Sequence, residues 1–310
     1  MTRTVVAQAY GGPEVLALQD IELPAPGDGQ LLVDVRAAGT NPIDYKLYSG
    51  VMGSDPAKLP MPVGGEVAGV VAEVAPGAAG YTGPLTVGDE VIVTNLNGGY
   101  SERVLAEASD VGHKPASLSF EQASGLLLVG GTAWHLLTKT HVGVGDTVLI
   151  HGASGGVGLM AVQLAVARGA KVIATASAAR HDQLRRYGAE PVAYGDGLAD
   201  RVRAIGPVDA ALDLVGTDEA LDTSVDLVAD RGRIATIAGF ARAGELGIAV
   251  LTGADGGQAI RDAARVELIG LAAAGKLDVT VDRTFSLEEA ADAHRYLQTG
   301  HARGKVVLVP

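Results

Sequence analysis

A glycine-rich loop between an apolar strand and a helix is the feature that most constrains the fold of this chain. The segment from Thr147 to Gly158 reads TVLIHGASGGVG, and a helical run from Leu159 to Arg168 follows it directly. A strand, a glycine loop and a helix in this order are the context that the dinucleotide-binding fingerprint requires. Ala153 stands where the first glycine of that fingerprint is expected. The alternative is a tight strand-to-helix turn that binds no ligand.

The chemistry of this loop favours a bound pyrophosphate. Two adjacent glycines let the backbone approach phosphate groups, and a third glycine lets the helix pack closely on the strand. The N-terminus of the helix adds unpaired N–H groups and the positive end of its dipole. The residues expected to contact the cofactor here are Ser154, Gly155, Gly156, Val157 and Gly158.

The loop is part of a regular alternation of strands and helices. Apolar, β-branched runs that predict strands lie at residues 146–150, 171–175, 191–194, 208–214 and 232–238. Helical stretches separate them, and this alternation predicts an α/β fold with a doubly wound parallel sheet of the Rossmann type. Residues 240–257 are predicted to form a loop.

The two ends of the chain have a different sequence pattern. Short Val-rich runs between Gly, Pro and Asp turns predict a small β-barrel or sandwich before about residue 115. Ser119 and Gln122 form a capping box that predicts one long helix reaching Leu137. The helices and strands predicted after residue 257 do not continue the alternation and are expected to return to the first domain. The predicted domains are therefore 1–122, 123–257 and 258–310.

Charge and composition exclude several classes of function. A formal net charge of −12 without a basic run disfavours nucleic acid and anionic membrane surfaces as partners. The absence of cysteine excludes disulfides, thiolate nucleophiles and zinc sites that need sulfur, and it fits a cytoplasmic location. The longest apolar stretch, around 125–137, is too short to span a membrane. A small-molecule substrate is the simplest expectation.

The identity of the nucleotide depends on the end of the second predicted strand. An acidic residue at that position would hold the ribose 2′-hydroxyl of NAD, but residues 172–180 contain none. Ser177 can donate a hydrogen bond and Arg180 can supply a planar, charged fork to a 2′-phosphate. These residues favour NADPH. The alternative for Arg180 is an ordinary position in an exposed helical turn.

Six further segments stand out beside the glycine loop: Asn41-Pro-Ile-Asp-Tyr-Lys46, Gly64-Gly-Glu-Val-Ala-Gly-Val-Val71, Val87-Gly-Asp-Glu-Val91, Gly131-Thr-Ala-Trp134, Asp213-Leu-Val-Gly216 and Gly304-Lys-Val-Val-Leu308. Together the seven segments resemble the zinc-free quinone oxidoreductase branch, which includes ζ-crystallin-like proteins, of the medium-chain dehydrogenase/reductase superfamily. The resemblance covers essentially the whole chain. It implies a GroES-like catalytic domain built from both chain ends, an NADPH-binding Rossmann domain between them, and a homodimer.

The same resemblance bears on metal binding. Zinc alcohol dehydrogenases of this superfamily carry a Gly-His-Glu segment and a cysteine ligand, whereas this chain has Gly65-Glu66 preceded by glycine and no cysteine. The seven histidines lie on separate predicted elements or alone and show no metal-binding spacing. No metal is therefore expected.

The resemblance also assigns candidate site residues. Asn41, Tyr45 and Tyr48 are expected near the nicotinamide, where Asn41 would bind the substrate oxygen or the ribose and a tyrosine would orient substrate or relay a proton. The family often has Arg at position 48, so this chain departs from its pattern there. The alternative is that Asn41 initiates a turn and both tyrosines only pack. The further cofactor contacts implied are Thr132, Tyr194, Val215, Gly239, Phe240 and Lys305.

The expected reaction is hydride transfer from NADPH to a quinone or an α,β-unsaturated carbonyl. These two acceptors are electronically alike, so the sequence leaves quinone reduction and enone or alkenal reduction open. A non-catalytic NADPH-binding protein with a structural or regulatory role is the competing class, because a fold does not guarantee an activity. RNA binding is disfavoured by the acidic charge balance.

Overall fold

The structure is a computed structural model that describes residues 1–254 and 256–310. No helix in these two ranges is long and apolar enough to cross a membrane. The strands are β1 (Thr2–Ala7), β2 (Leu16–Ile21), β3 (Gln30–Gly39), β4 (Met61–Pro62), β5 (Glu66–Val74), β6 (Ala79–Gly80), β7 (Gly83–Pro84), β8 (Glu90–Val93), β9 (Arg103–Glu107), β10 (Val111–His113), β11 (Thr147–His151), β12 (Lys171–Thr175), β13 (Glu190–Val192), β14 (Ala210–Asp213), β15 (Ile234–Thr236), β16 (Ala249–Val250), β17 (Val281–Ser286) and β18 (Lys305–Val309). The α-helices are α1 (Pro42–Tyr48), α2 (Phe120–Ala123), α3 (Leu127–Lys139), α4 (Gly156–Ala167), α5 (His181–Arg186), α6 (Leu198–Arg203), α7 (Asp218–Leu227), α8 (Phe240–Leu246), α9 (Gly257–Ala263), α10 (Arg265–Ala273) and α11 (Ala290–Gln298).

The chain divides into two compact units. The first comprises Met1–Leu128 and Val279–Pro310, and the second comprises Val129–Asp278. The division differs from the predicted boundaries most at the second junction, because α9 and α10 belong to the second unit rather than returning to the first. Gln163 on α4 explains part of this difference, since its side-chain oxygen accepts a hydrogen bond from the N–H of Asp278 at 2.7 Å.

The first unit is built on strands from both ends of the chain, which pair antiparallel except for the parallel pair β17 and β18. Its larger sheet has the order β10-β8-β5-β3-β18-β17 with β9 also paired to β3, and a second sheet has the order β2-β1-β4. The C-terminal strand β18 joins β3 through the pairs Val307 with Gly39 and Leu308 with Ala38. Apolar side chains of β1, β3, β5, β8 and β18 form the core of this unit. The alternating Val-rich runs of the sequence therefore supply the buried faces of its strands.

The second unit contains a six-stranded, fully parallel sheet with the order β13-β12-β11-β14-β15-β16. This order confirms the predicted doubly wound Rossmann sheet, in which ligands bind at the carboxyl ends of the strands. Residues 240–257 are not one loop, because α8 and β16 lie within them. The strand β16 has only two residues and follows the left-handed Gly247, so it is too short to show a periodic pattern.

The long helix predicted from Ser119 to Leu137 is interrupted. Its capping box forms as predicted, since the Ser119 hydroxyl accepts the N–H of Gln122 at 3.2 Å. The helix nevertheless ends at Ala123, and α3 begins at Leu127. Gly125 lies in the gap, where an added Cβ would come within 2.8 Å of the aliphatic chain of Lys305. Close packing on that buried lysine therefore accounts for a glycine here.

Candidate functional site

The glycine loop lies at the carboxyl end of the central strand β11 and leads into α4. Gly152 takes the left-handed conformation with φ +71°, so the turn depends on this glycine, which the sequence motif did not single out. Gly155 is the N-cap residue of α4, a helix of 12 residues. Ala153 is fully buried, so its methyl group packs in the core instead of disturbing the turn.

Gly158 is the glycine that fixes the distance between the helix and the loop. A Cβ atom at this position would lie 2.4 Å from the carbonyl oxygen of Gly152 and 2.6 Å from the backbone of Ala153. Gly155, in contrast, is partly exposed and a Cβ there would meet only the Gly152 oxygen at 3.6 Å. The loop is thus closed on its strand side and open on its other side, as a phosphate cradle requires.

The loops after β14 and β15 are held by one buried carboxylate. Asp213 is fully buried, and its Oδ1 accepts the N–H groups of Val215 and Gly216 at 3.1 and 2.9 Å. Its Oδ2 accepts the hydroxyl of Thr236 at 2.5 Å, and Thr236 in turn accepts the N–H of Gly239 at 2.9 Å. Asp213 therefore supports two strand ends and is not placed to act as a base.

Several candidate cofactor residues are exposed at this edge of the sheet. Tyr194, Val215 and Phe240 follow three successive strand ends and are 60%, 48% and 48% exposed. Ser177 is also exposed, two residues after β12, and Arg180 is half-buried at the end of the next short 3-10 turn. The strand β12 ends in Thr175 and Ala176 follows, so no carboxylate occupies the position that selects a free ribose. Thr132 and Gly239, by contrast, are buried.

His151 ends β11 directly before the glycine loop and is buried. Burial lowers the pKa of this imidazole from 6.5 to about 4, because the charged form loses its hydration. The ring is therefore neutral at neutral pH, and it adds no charge beside the loop. The positive potential at this site therefore comes from the backbone N–H groups of the loop and the N-terminus of α4, and not from His151.

In the first unit, the side chain of Asn41 contacts both members of a buried ion pair, Lys305 and Glu66. The Lys305 ammonium donates to the carbonyl of Thr40 at 2.9 Å, to Asn41 Oδ1 at 2.6 Å and to Glu66 Oε1 at 2.8 Å. The Asn41 amide donates to the same Glu66 oxygen at 3.0 Å, and Glu66 Oε2 accepts the N–H of Leu128 at 3.0 Å. All three donors of the ammonium therefore have acceptors.

A second buried network continues from Asn41. The Asp44 carboxylate accepts the Asn41 N–H and the Tyr100 hydroxyl, both at 2.7 Å. His294 on α11 lies between Tyr100 and Tyr48, with ring nitrogens 3.0 and 2.7 Å from the two hydroxyls. The His294 ring also stacks on Tyr48, with 5.6 Å between centroids and 7° between planes. These residues lock α1 against α11.

These contacts bear on the predicted roles of three residues. Lys305 is 3% exposed and its ammonium donates to three internal acceptors, so this structure shows it in a structural role, and its cofactor contact stays a prediction. Tyr48 is fully buried and packs in the core, and its substrate contact likewise stays a prediction. Asn41 is 1% exposed with its side-chain amide engaged, so its place is inside the network. Tyr45 is half-buried, and its role near the nicotinamide stays a prediction.

The sequence contained one sign of this buried ion pair. Glu66 is a carboxylate next to an apolar run, and a buried carboxylate needs a partner.

The second network predicts a specific pH dependence of stability. Burial raises the pKa of Asp44 from 3.8 to about 6, so its stabilising protonation is complete below pH 4 and is lost as the pH rises towards 6. Burial lowers the pKa of His294 from 6.5 to about 4, and its contribution is lost as the pH falls through the same window. The two dependences oppose each other in the parent protein.

Asp44→Asn should remove only the first dependence. The quantity to compare is the free energy of unfolding of the variant minus that of the parent. We expect this difference to rise by on the order of 2–3 kcal/mol as the pH is raised from 4 to 6.5. Urea unfolding at several pH values measures this difference. Asp20→Asn, at an exposed carboxylate on β2, is the control and should show a flat difference. Parallel pH profiles for Asp44→Asn and the parent would contradict the prediction.

The donor set does not fit a catalytic zinc. The sequence contains no cysteine, and Glu66 is already neutralised by Lys305. Within residues 1–254 and 256–310, no group of three or more His, Asp or Glu side chains is arranged to hold a metal ion. We therefore derive no chemistry from a metal.

Two family comparisons match most of the chain. Residues 27–144 match the alcohol dehydrogenase GroES-like domain, and residues 181–308 match a family described as zinc-binding dehydrogenase. The first match falls on the β-rich unit and on α3, and the second spans most of the parallel sheet and the C-terminal strands. The two matches agree with the fold and define a dehydrogenase class.

Individual relatives refine this class. The quinone oxidoreductase of Pseudomonas aeruginosa is 36% identical, with 100% of both chains covered. The solved structure of Escherichia coli quinone oxidoreductase complexed with NADPH has a TM-score of 0.86 and 30% identity, again covering 100% of both chains. The solved structure of an NAD-dependent alcohol dehydrogenase has a TM-score of 0.87 and 29% identity, covering 99% of both chains. The chain therefore belongs to the quinone oxidoreductase branch of the medium-chain dehydrogenase/reductase superfamily, a family of oxidoreductase enzymes.

Proposed function

We propose that this protein is an NADPH-dependent, zinc-independent oxidoreductase that reduces a quinone or an α,β-unsaturated carbonyl compound. The observation that carries the cofactor choice is the end of β12, where Ser177 and Arg180 stand and no carboxylate does. A carboxylate would repel a 2′-phosphate, whereas a hydroxyl and a guanidinium can bind it. The NADPH complex of the Escherichia coli relative supports the same choice.

The residues of the second unit fit a bound dinucleotide. The open side of the glycine loop and the N-terminus of α4 would hold the pyrophosphate through Ser154, Gly155, Gly156 and Val157. Ser177, Arg180 and Tyr194 would bind the adenosine end. When bound, NADPH supplies the hydride. Val215, Gly239 and Phe240 would line the nicotinamide end, with Thr132 as a further candidate from α3.

The class of acceptor follows from the groups that can stabilise negative charge on the acceptor oxygen in place of a metal. A developing negative charge on the acceptor oxygen must be stabilised by hydrogen-bond donors. Burial raises the pKa of the Tyr45 phenol, so the hydroxyl stays protonated at neutral pH and can donate. We assign Tyr45 this role, because the Asn41 side chain is already engaged with Lys305 and Glu66. Acceptors that are already electron-poor, such as quinones and enones, need the least stabilisation of this kind.

The Arg180 side chain gives a direct test of the cofactor and of the activity. In Arg180→Ala we expect kcat/KM for NADPH to fall by about tenfold or more, because one charge-assisted contact to the 2′-phosphate is lost, while kcat/KM for NADH stays within about twofold. The measurement is cofactor oxidation with benzoquinone as acceptor.

Arg186→Ala is the matched control for this experiment. Arg186 is an exposed residue of the adjoining helix α5, and its removal should change neither cofactor. Equal use of NADPH and NADH by the parent, or an equal loss for both cofactors in Arg180→Ala, would contradict the proposed selectivity.

We also propose that two copies of the chain form a homodimer. Strand β16 is at the edge of the parallel sheet, and its residue Val250 is 40% exposed. An exposed sheet edge of this kind is a ready surface for pairing with another chain. Light scattering on the purified protein distinguishes a dimer from a monomer.

A further inference from the structure

The loop that follows β13 has an unusual internal support. It runs from Ala193 to Gly197, joins β13 to α6, and carries the exposed ring of Tyr194. Gly195 and Gly197 are left-handed, with φ +102° and +78°. Glycines give a loop many accessible conformations, so a defined position for Tyr194 requires other contacts.

Arg201 on α6 supplies those contacts. Its Nε and Nη2 donate to the carbonyl of Ala193 at 3.2 and 2.9 Å, and Nη2 also donates to the carbonyl of Gly195 at 2.8 Å. Its Nη1 donates to the carbonyl of Asp196 at 2.6 Å. One planar guanidinium thus binds three backbone carbonyls around Tyr194. A lysine cannot reproduce this, because its ammonium is a single point of charge.

The strand register places this loop beside the end of β12. Thr175 pairs with Val192, and the N–H of Ala176 donates to the Val192 carbonyl at 3.1 Å. Ser177 and Tyr194 each follow these paired positions by two residues, so the two side chains start from neighbouring strand ends. That is where the adenosine end of the cofactor is proposed to bind.

We propose that Arg201 is a positioning residue for cofactor recognition: it fixes the loop so that the Tyr194 ring is presented to the adenosine end before the ligand arrives. This inference rests on the proposed function, because the ligand is the dinucleotide assigned there. The physical gain is preorganisation, since a loop ordered in advance loses less conformational entropy on binding. Arg201 itself does not need to touch the cofactor.

A double-mutant cycle tests whether Arg201 acts through Tyr194. The dissociation constant of NADPH is measured by fluorescence titration for the parent, Arg201→Ala, Tyr194→Ala and the double variant. We expect about a tenfold rise in each single variant and no more than about twofold further rise in the double variant. Arg201→Lys should resemble Arg201→Ala, because the fork geometry and not the charge is needed.

The controls separate this inference from folding and from the proposed function. Arg203→Ala, on the same helix, removes a guanidinium that pairs with exposed Asp200 and Asp226, and it should bind NADPH like the parent. If Arg201→Ala does not fold, Arg201→Lys takes its place in the cycle. Losses that multiply in the double variant, or an Arg201 variant within twofold of the parent, would overturn the inference. A parent that does not bind NADPH would instead overturn the proposed function.

Discussion

Replacement of Lys305 by Met is expected to lower the free energy of unfolding by about 3–5 kcal/mol. The Glu66 carboxylate is fully buried and its ion pair with Lys305 is 2.8 Å long, so the variant leaves an ionised group without its counter-charge. Methionine keeps most of the aliphatic volume that packs on Gly125, which limits the loss to electrostatics and hydrogen bonding. Urea unfolding measures the change.

Two comparisons make this prediction specific. The double variant Glu66→Gln/Lys305→Met removes both charges and should recover more than half of the loss, because no buried charge remains. Arg103→Met breaks an exposed ion pair with Asp34 of similar length, 2.6 Å, and should cost less than about 1 kcal/mol. A cost for Lys305→Met as small as that for Arg103→Met would show that the buried pair does not stabilise the fold.

Gly158→Ala is expected to weaken NADPH binding by at least about tenfold and to destabilise the protein by about 1–3 kcal/mol. The new methyl group would meet the backbone of Gly152 and Ala153 at 2.4–2.6 Å, and backbone atoms cannot rotate away as a side chain can. The loop must therefore move away from α4, which distorts the proposed phosphate cradle. Titration with NADPH and urea unfolding measure the two effects.

Gly270→Ala provides the matched control for this variant. Gly270 also lies within a helix, α10, but a Cβ there would have no atom within 4 Å. The substitution should leave NADPH binding unchanged and stabilise the helix by about 0.5–1 kcal/mol. If Gly158→Ala bound NADPH as tightly as Gly270→Ala, the glycine loop would not be the phosphate site.

The parallel sheet could be predicted from the sequence because its signals are local. Each strand is a short apolar run, each connection carries a helix, and the glycine loop stands directly between β11 and α4. The carboxyl ends of parallel strands meet at one edge, so the exposed positions of Ser177, Tyr194, Val215 and Phe240 follow from the order of the strands. The end of the unit could not be predicted from local signals, because α9 and α10 pack on α3 and the segment after them is held to α4 by the hydrogen bond between Gln163 and Asp278.

The polar residues of the first unit could not be placed from the sequence. Asn41 and Lys305 are 264 residues apart, and only the pairing of β18 with β3 brings their side chains within 2.6 Å. Tyr48 likewise owes its burial to His294 on α11. A polar residue in a motif gives no local sign of whether it faces a ligand or a buried partner. Glu66 alone carried such a sign, because it is a carboxylate at the start of the apolar strand β5.

Transfer of deuterium from labelled cofactor is the most direct test of the central claim, that this protein moves a hydride from NADPH to an electron-poor acceptor without a metal. The purified parent is incubated with EDTA, NADPH that carries deuterium at both C4 positions, and either an enone or benzoquinone. The claim predicts NADPH oxidation with at least one of the two acceptors and, where the enone reacts, one deuterium on the carbon β to its carbonyl. NADPH that binds but is consumed no faster with either acceptor would contradict it.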